Sequence, residues 1–122
     1  LLNFGHTLGH AVEKLKGFSL LHGECVSVGM AAALWLCALR GNLTAQEVKD
    51  IMAHLSAFGL PVLTDGLNAS DIVKAALKDK KMDAGQIRFI LLRAVGEAYA
   101  DMTVTQKEME QACEFLLGGG NL

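Results

Sequence analysis

The sequence predicts a mainly α-helical domain of several helices with one small β-hairpin, on three observations. Apolar residues recur at three- and four-residue steps in four segments, and a fifth segment is apolar almost all round. Two segments open on a Thr-x-x-Glu box, Thr44 to Glu47 and Thr105 to Glu108, where the threonine caps the helix start and the glutamate reaches back. The stretch that suits strands, Ile87 to Leu92 followed by Glu97 to Asp101, is short and interrupted by Gly96. Aromatic residues make up only 6% of the chain and proline occurs once, which disfavours a β-sandwich.

The first helix is expected from about Asn3 to Lys16. Phe4, Leu8, Ala11 and Leu15 form its apolar stripe, and Asn3, His6, His10 and Glu13 form a polar stripe beside it. Gly5 and Gly9 lie next to the imidazoles, and each costs the helix roughly 1 kcal/mol relative to alanine, so a close neighbour is implied. Gly17 suits a C-terminal cap, and Phe18 to Leu21 connect to a second helix beginning at His22 or Gly23. Glu24 in its first turn complements the helix dipole. From there to Arg40 the helix is apolar on nearly every face, so it should lie at the core until Gly41 ends it.

The third helix follows Thr44 to about Ala57, with Val48, Ile51, Met52, Leu55 and Phe58 at helical spacing, and Gly59-Leu60-Pro61 stops it. After a loop through Thr64-Asp65-Gly66, Asn68 or Ser70 caps a fourth helix whose core face is Ile72, Val73, Ala76 and Leu77. It should end at the charged run Lys78-Asp79-Lys80-Lys81, and Met82 to Gly85 read as a turn. The first strand of the hairpin is expected to be largely buried. Met109, Ala112, Leu116 and Leu117 mark the last helix, which Gly118 to Gly120 terminate.

With 122 residues, 52% hydrophobic and 20% charged, the chain has enough apolar material for one domain's core and is unlike disordered sequence. A formal net charge of -2 and a pI near 6.1, without any basic run, exclude nucleic acid or an anionic membrane as the main partner. Val26 to Leu39 is shorter than the roughly 20 residues a bilayer requires, and it is flanked by His22, Glu24 and Arg40. Cys25, Cys37 and Cys113 lack Cys-x-x-Cys spacing and sit in apolar helical contexts, as reduced, buried thiols of a cytoplasmic protein do. No targeting segment is visible. Because the polar stripe begins at the first residues and no methionine precedes it, a piece of a longer polypeptide is expected.

His6 and His10, four apart, can grip a zinc ion from one helix face. The His-Glu-x-x-His protease motif needs a glutamate after the first histidine, and here Thr7 stands there. His22, at the mouth of the neighbouring helix, adds an imidazole that can meet the first helix. Two or three imidazoles with a carboxylate from elsewhere suit zinc. His54 lies on an ordinary amphipathic helix and reads as a surface residue. Lys80 and Lys81 read either as a solvated helix end or as ammonium groups facing a phosphate or carboxylate. Arg88 and Arg93 read as surface charges.

Asn3-Phe-Gly-His6-Thr-Leu-Gly-His10-Ala-Val-Glu13, His22-Gly-Glu24-Cys-Val-Ser-Val-Gly-Met30, and Asp79-Lys-Lys81 followed by Gly85 to Leu92 together resemble the 3-dehydroquinate synthase family, in order and over essentially the whole chain. The resemblance is to the family's C-terminal, mostly helical domain. It implies that residues 1–122 are a zinc- and substrate-binding domain, with the NAD-binding α/β domain absent from this chain. It assigns His6 and His22 to zinc (or another divalent metal such as cobalt), the glutamate ligand lying outside the chain. Asn3, His10 and a lysine, Lys80 more than Lys81, match substrate-binding positions, and His10 also matches a proton-transfer role. The chain itself offers no NAD-binding residue.

The implied substrate is a phosphorylated sugar acid, 3-deoxy-D-arabino-heptulosonate 7-phosphate. The implied reaction runs through hydroxyl oxidation with NAD as hydride acceptor, loss of phosphate, hydride return, ring opening and aldol closure to 3-dehydroquinate, in the shikimate route to chorismate and aromatic amino acids. A different carbocycle-forming sugar-phosphate cyclase and a non-enzymatic helical interaction module are the alternatives. The 122 residues alone are expected to be inactive, with their own N-terminal domain as a partner. The oligomeric state is not fixed by the sequence; a homodimer of the full-length form is compatible with it.

Overall fold

The computed structural model describes residues 6–16, 22–60, 62–64, 66–82, 89–94, 96–101 and 103–118, with the side chains at positions 6–7, 22–23 and 79–82 outside that description. The elements in chain order are α1 (His6–Leu15), α2 (His22–Leu39), α3 (Ala45–Ala57), α4 (Ala69–Met82), β1 (Phe89–Ala94), β2 (Glu97–Asp101) and α5 (Gln106–Leu116). The class is the one expected, mainly helical with a small antiparallel hairpin.

α2 is the axis, because a helix that is apolar on every side has to be surrounded. It packs against α1, α3, α5 and β1, while α4 closes the other side by packing on α1 and α5. Val28, Ala31, Ala32, Leu34, Leu36 and Cys37 are all inaccessible to solvent or nearly so. Around them lie Leu8, Ala11 and Val12 from α1, Ile72, Val73 and Ala76 from α4, Phe89 and Leu91 from β1, and Met109, Ala112, Cys113 and Leu116 from α5. No helix among the described residues is long and apolar enough to cross a membrane.

Local chemistry sets the element ends. Thr44 Oγ1 accepts the Glu47 N–H at 3.1 Å while the Glu47 carboxylate accepts the Thr44 N–H at 2.9 Å. The Thr105–Glu108 box repeats those two bonds at 3.1 and 2.9 Å. Asn68, rather than Ser70, caps α4: its side-chain oxygen accepts the Asp71 N–H at 2.8 Å. In the hairpin, Phe89 pairs with Asp101 and Leu92 with Ala98, before an irregularity between Leu92 and Ala94 brings Ala94 opposite Glu97. Gly96, at φ +85°, supplies the left-handed backbone of the turn.

Several expectations need correction. Leu15, placed in the core stripe, is exposed, and Val12 takes the buried position. Phe58, expected on the core face of α3, is 81% exposed. It occupies the C-cap, where the chain leaves the helix and no longer follows its face. Met82, expected in the turn after the charged run, is the last residue of α4, which otherwise ends with that run as expected. β1 extends to Ala94, two residues beyond the expected end, while 87–88 lie outside the described residues, and within it only Phe89 and Leu91 are buried. The expected turn at 82–85 and the caps at Gly17 and Gly119–Gly120 lie outside the described residues, apart from Met82 itself.

The end of α2 is tied to the C-terminal elements by ions. Arg40 Nε donates to Asp101 Oδ2 at 3.1 Å, and its Nη1 and Nη2 donate to the two oxygens of Glu108 at 2.5 and 3.1 Å. Asp101, only 6% exposed, also accepts from the Thr103 backbone N–H and hydroxyl at 2.7 and 2.6 Å, and from the Tyr99 hydroxyl at 3.3 Å. Asn42 completes the cluster by donating to that tyrosine at 2.9 Å. A buried carboxylate is tolerable when its lone pairs are filled in this way.

Candidate functional site

α1 carries the polar stripe, and its neighbours carry the other expected site residues. His6 is its first residue, His22 is the first residue of α2, and Lys80 and Lys81 lie in the last turn of α4. α1 packs against both α2 and α4, so it adjoins each of the other two helices bearing these residues. Asn3 lies outside the described residues, as do the side chains of His6, His22, Lys80 and Lys81. His10 and Glu13 are described in full.

α1 and α2 come into close backbone contact at Gly9. A Cβ on Gly9 would stand 2.6 Å from the Cys25 carbonyl oxygen and 3.5 Å from the Gly29 Cα. Glycine at position 9 thus answers the close neighbour inferred from the sequence. Gly5 lies outside the described residues.

One turn beyond His6, His10 has a 38% exposed side chain, and its Nδ1 is 3.6 Å from Glu13 Oε1. Glu13, a member of the expected polar stripe, is 7% exposed and lies near Cys25 of α2. Burial pushes the Cys25 thiol up, and the negative charges of Glu13 and Glu24 push it further against the opposing charge of Lys16. These groups therefore share one neighbourhood at the α1–α2 contact. The thiols are buried and free, as read from the sequence, and burial drives Cys113 up to about 12.

Other sequence readings can be placed. His54 is exposed and its Nδ1 lies 2.8 Å from the Asp50 carbonyl oxygen, an intrahelical bond of a surface residue. Arg93 is exposed, stands 3.9 Å from Glu97, and lies over the Tyr99 ring at 4.6 Å. Arg88 is outside the described residues. The cluster of Arg40, Asp101 and Glu108 was not anticipated, since its members lie 61 and 68 positions apart and share no local pattern.

Among the described residues no group of three or more His, Cys, Asp or Glu could hold a metal ion. The side chains of His6 and His22 lie outside the described residues; by donor type, two imidazoles fit a borderline cation such as zinc. An open cleft of 820 Å³ lies between the start of α4 and α5, lined by Asn68, Asp71, Lys74, Glu110, Glu114 and Leu117 among others. It sits at the opposite end of α4 from Lys80 and Lys81 and contains none of the expected site residues.

The family model for the 3-dehydroquinate synthase C-terminal region matches residues 1–82, the part that holds all of those residues. The chain belongs to the 3-dehydroquinate synthase C-terminal family. Among curated relatives, the 3-dehydroquinate synthase of Dichelobacter nodosus is 42% identical over 111 residues, covering 89% of this chain and 30% of that protein. That of Opitutus terrae is 46% identical over 100 residues, covering 80% of this chain and 28% of its own length. The chain thus spans under a third of the curated relatives it matches. Among solved structures, ValA (2-epi-5-epi-valiolone synthase) from Streptomyces hygroscopicus subsp. jinggangensis, with NAD+ and Zn2+ bound, superposes with a TM-score of 0.83 at 32% identity, over 93% of this chain and 32% of that one. The helical fold with its hairpin is accordingly that of the dehydroquinate synthase-like C-terminal domain.

Proposed function

We propose that this chain is the zinc- and substrate-binding part of a 3-dehydroquinate synthase, which converts 3-deoxy-D-arabino-heptulosonate 7-phosphate to 3-dehydroquinate and phosphate. The observation that carries the reading is the packing of α1 against both α2 and α4, which groups the helices bearing His6, His10, His22, Lys80 and Lys81 in a chain 42% identical to a named 3-dehydroquinate synthase. In this reading His6 and His22 hold zinc, and Asn3, His10 and Lys80 or Lys81 bind the substrate's hydroxyl, phosphate and carboxylate groups. A bound zinc would lower the pKa of a coordinated hydroxyl. His10 would move a proton between the substrate and its own ring. The lysines would hold anionic charge by their position at the end of α4. NAD would be held by an N-terminal domain outside the chain; the similar ValA was solved with NAD+ bound.

The test is turnover by the full-length polypeptide on heptulosonate phosphate and on sedoheptulose 7-phosphate, followed by phosphate release. Activity on the first is expected. Activity only on the second would replace the proposal with a second reading, a cyclase of the kind represented by ValA, whose fold this chain shares. His6→Ala and His22→Ala are expected to abolish stoichiometric zinc binding, read by calorimetry, with melting unchanged. Retained zinc and activity in both would favour an interaction module. The 122 residues by themselves are expected to show no turnover.

A further inference from the structure

We propose that Glu13 is the positioning residue for His10, holding the imidazole with its proton on Nδ1 so that Nε2 carries the lone pair offered to substrate. The proposal rests on the reading of His10 as a proton-transfer group, and its tests separate the two.

Glu13 is buried, at 7% exposure. Burying a carboxylate is costly unless charged or hydrogen-bonding partners receive it. Further chain packed on this face could only deepen that burial. Its Oε1 lies 3.6 Å from Nδ1 of His10, one turn earlier on the same helix. That is too long for a hydrogen bond but within an ångström of one, and such contacts tighten when a substrate fills a site. In the observed ring orientation it is Nδ1 that faces the carboxylate. An ionised carboxylate can only accept, so the nitrogen facing it must carry hydrogen. The same logic sets the tautomer wherever a buried acid backs a working imidazole.

Charges of both signs lie near Glu13. Lys16 lies one turn further on, and Glu24 faces the same region from α2, where the Cys25 thiol senses all three. Gly9 contributes indirectly: by bringing α2 against α1, it lets α2 cover Glu13 while His10 stays 38% exposed. One partner is therefore shielded and the other reachable.

Ring-nitrogen NMR on the histidine-labelled full-length polypeptide reads the tautomer directly, and His10→Gln identifies the relevant signal. The expected wild-type pattern is Nδ1–H at His10, inverting toward Nε2–H in Glu13→Leu while the His54 pattern stays fixed. A wild-type His10 in the Nε2–H form, or one indifferent to Glu13→Leu, overturns the proposal. The wild-type spectrum decides even where the variant fails to fold.

In the full-length polypeptide, Glu13→Leu is expected to lower kcat on the order of 10-fold or more with KM little changed. In a His10→Ala background the same change should have no further effect on kcat. An equal loss in both backgrounds would mean a structural role and overturn the proposal. Unchanged turnover in His10→Ala would overturn the catalytic reading of His10, while the NMR pattern still decides the role of Glu13.

Discussion

Gly9 shows how a single missing carbon places a site. Alanine there would gain roughly 1 kcal/mol of helix propensity. Its methyl would meet the Cys25 carbonyl oxygen at 2.6 Å, and that partner is backbone of the central helix and cannot rotate away. Overpacking of this kind costs typically 1–3 kcal/mol, so the steric effect should win. Gly9→Ala is expected to lower the urea midpoint at unchanged m-value; a rise would mean that α1 can slide on α2 freely. Residue chemistry also separates what was readable from what was not. Glycine beside histidine on one helix signalled a close neighbour, and the neighbour is there. The same stripe gave no sign that Glu13 would be covered, because spacing along α1 cannot say how far α2 wraps around it.

At the scale of elements, the boundaries that could be read were those with a local cause. Both Thr-x-x-Glu boxes form all their expected bonds, since every atom involved lies within one helical turn. Thr44→Ala and Thr105→Ala should each cost about 1 kcal/mol, the ordinary worth of such a cap. The two differ in what else they disturb. Glu47 serves the Thr44 N–H, whereas Glu108 serves both the Thr105 N–H and Arg40. Thermal denaturation should therefore show the larger loss for Thr105→Ala, and equal losses would mean that the Glu108 carboxylate keeps its place without the cap. Leu15 and Phe58 mark the limit of periodicity. Each continues an apolar stripe into the end of its helix, where the side chain stays exposed. α4 ends with its charged run as the sequence implied, one residue further on at Met82.

Across the whole molecule, the central α2 was legible from its composition, as an all-apolar helix has no other place to go. Its tether was not. Burial works to raise the Asp101 carboxyl, but the hydrogen bonds from Thr103 and Arg40 outweigh it and hold it below the usual carboxylate range. Arg40 holds Glu108 below its ordinary value too, against burial. For groups depressed in the folded state, the unfolded chain binds more protons, so stability rises with pH across the interval between folded and unfolded values. Their contribution is complete above the unfolded values of about 4 and is lost as pH falls through the lower folded ones. Arg40→Met should accordingly lower Tm at neutral pH, and the gap from the parent chain should narrow steadily below pH 4. A gap that stays constant down to pH 2 would show that the carboxylates owe little to the arginine.

The tether also bears on the order of events as the chain is made and folds. Arg40 is synthesised 61 residues before Asp101 and 68 before Glu108. Closing loops of that length is a late and entropically expensive event, so the contact should be absent from the folding transition state. Losing it should hasten unfolding and leave refolding nearly untouched. On a ribosome, α2 would have its cationic end waiting in water until the last helix emerges, and the domain would lock only with its final element in place.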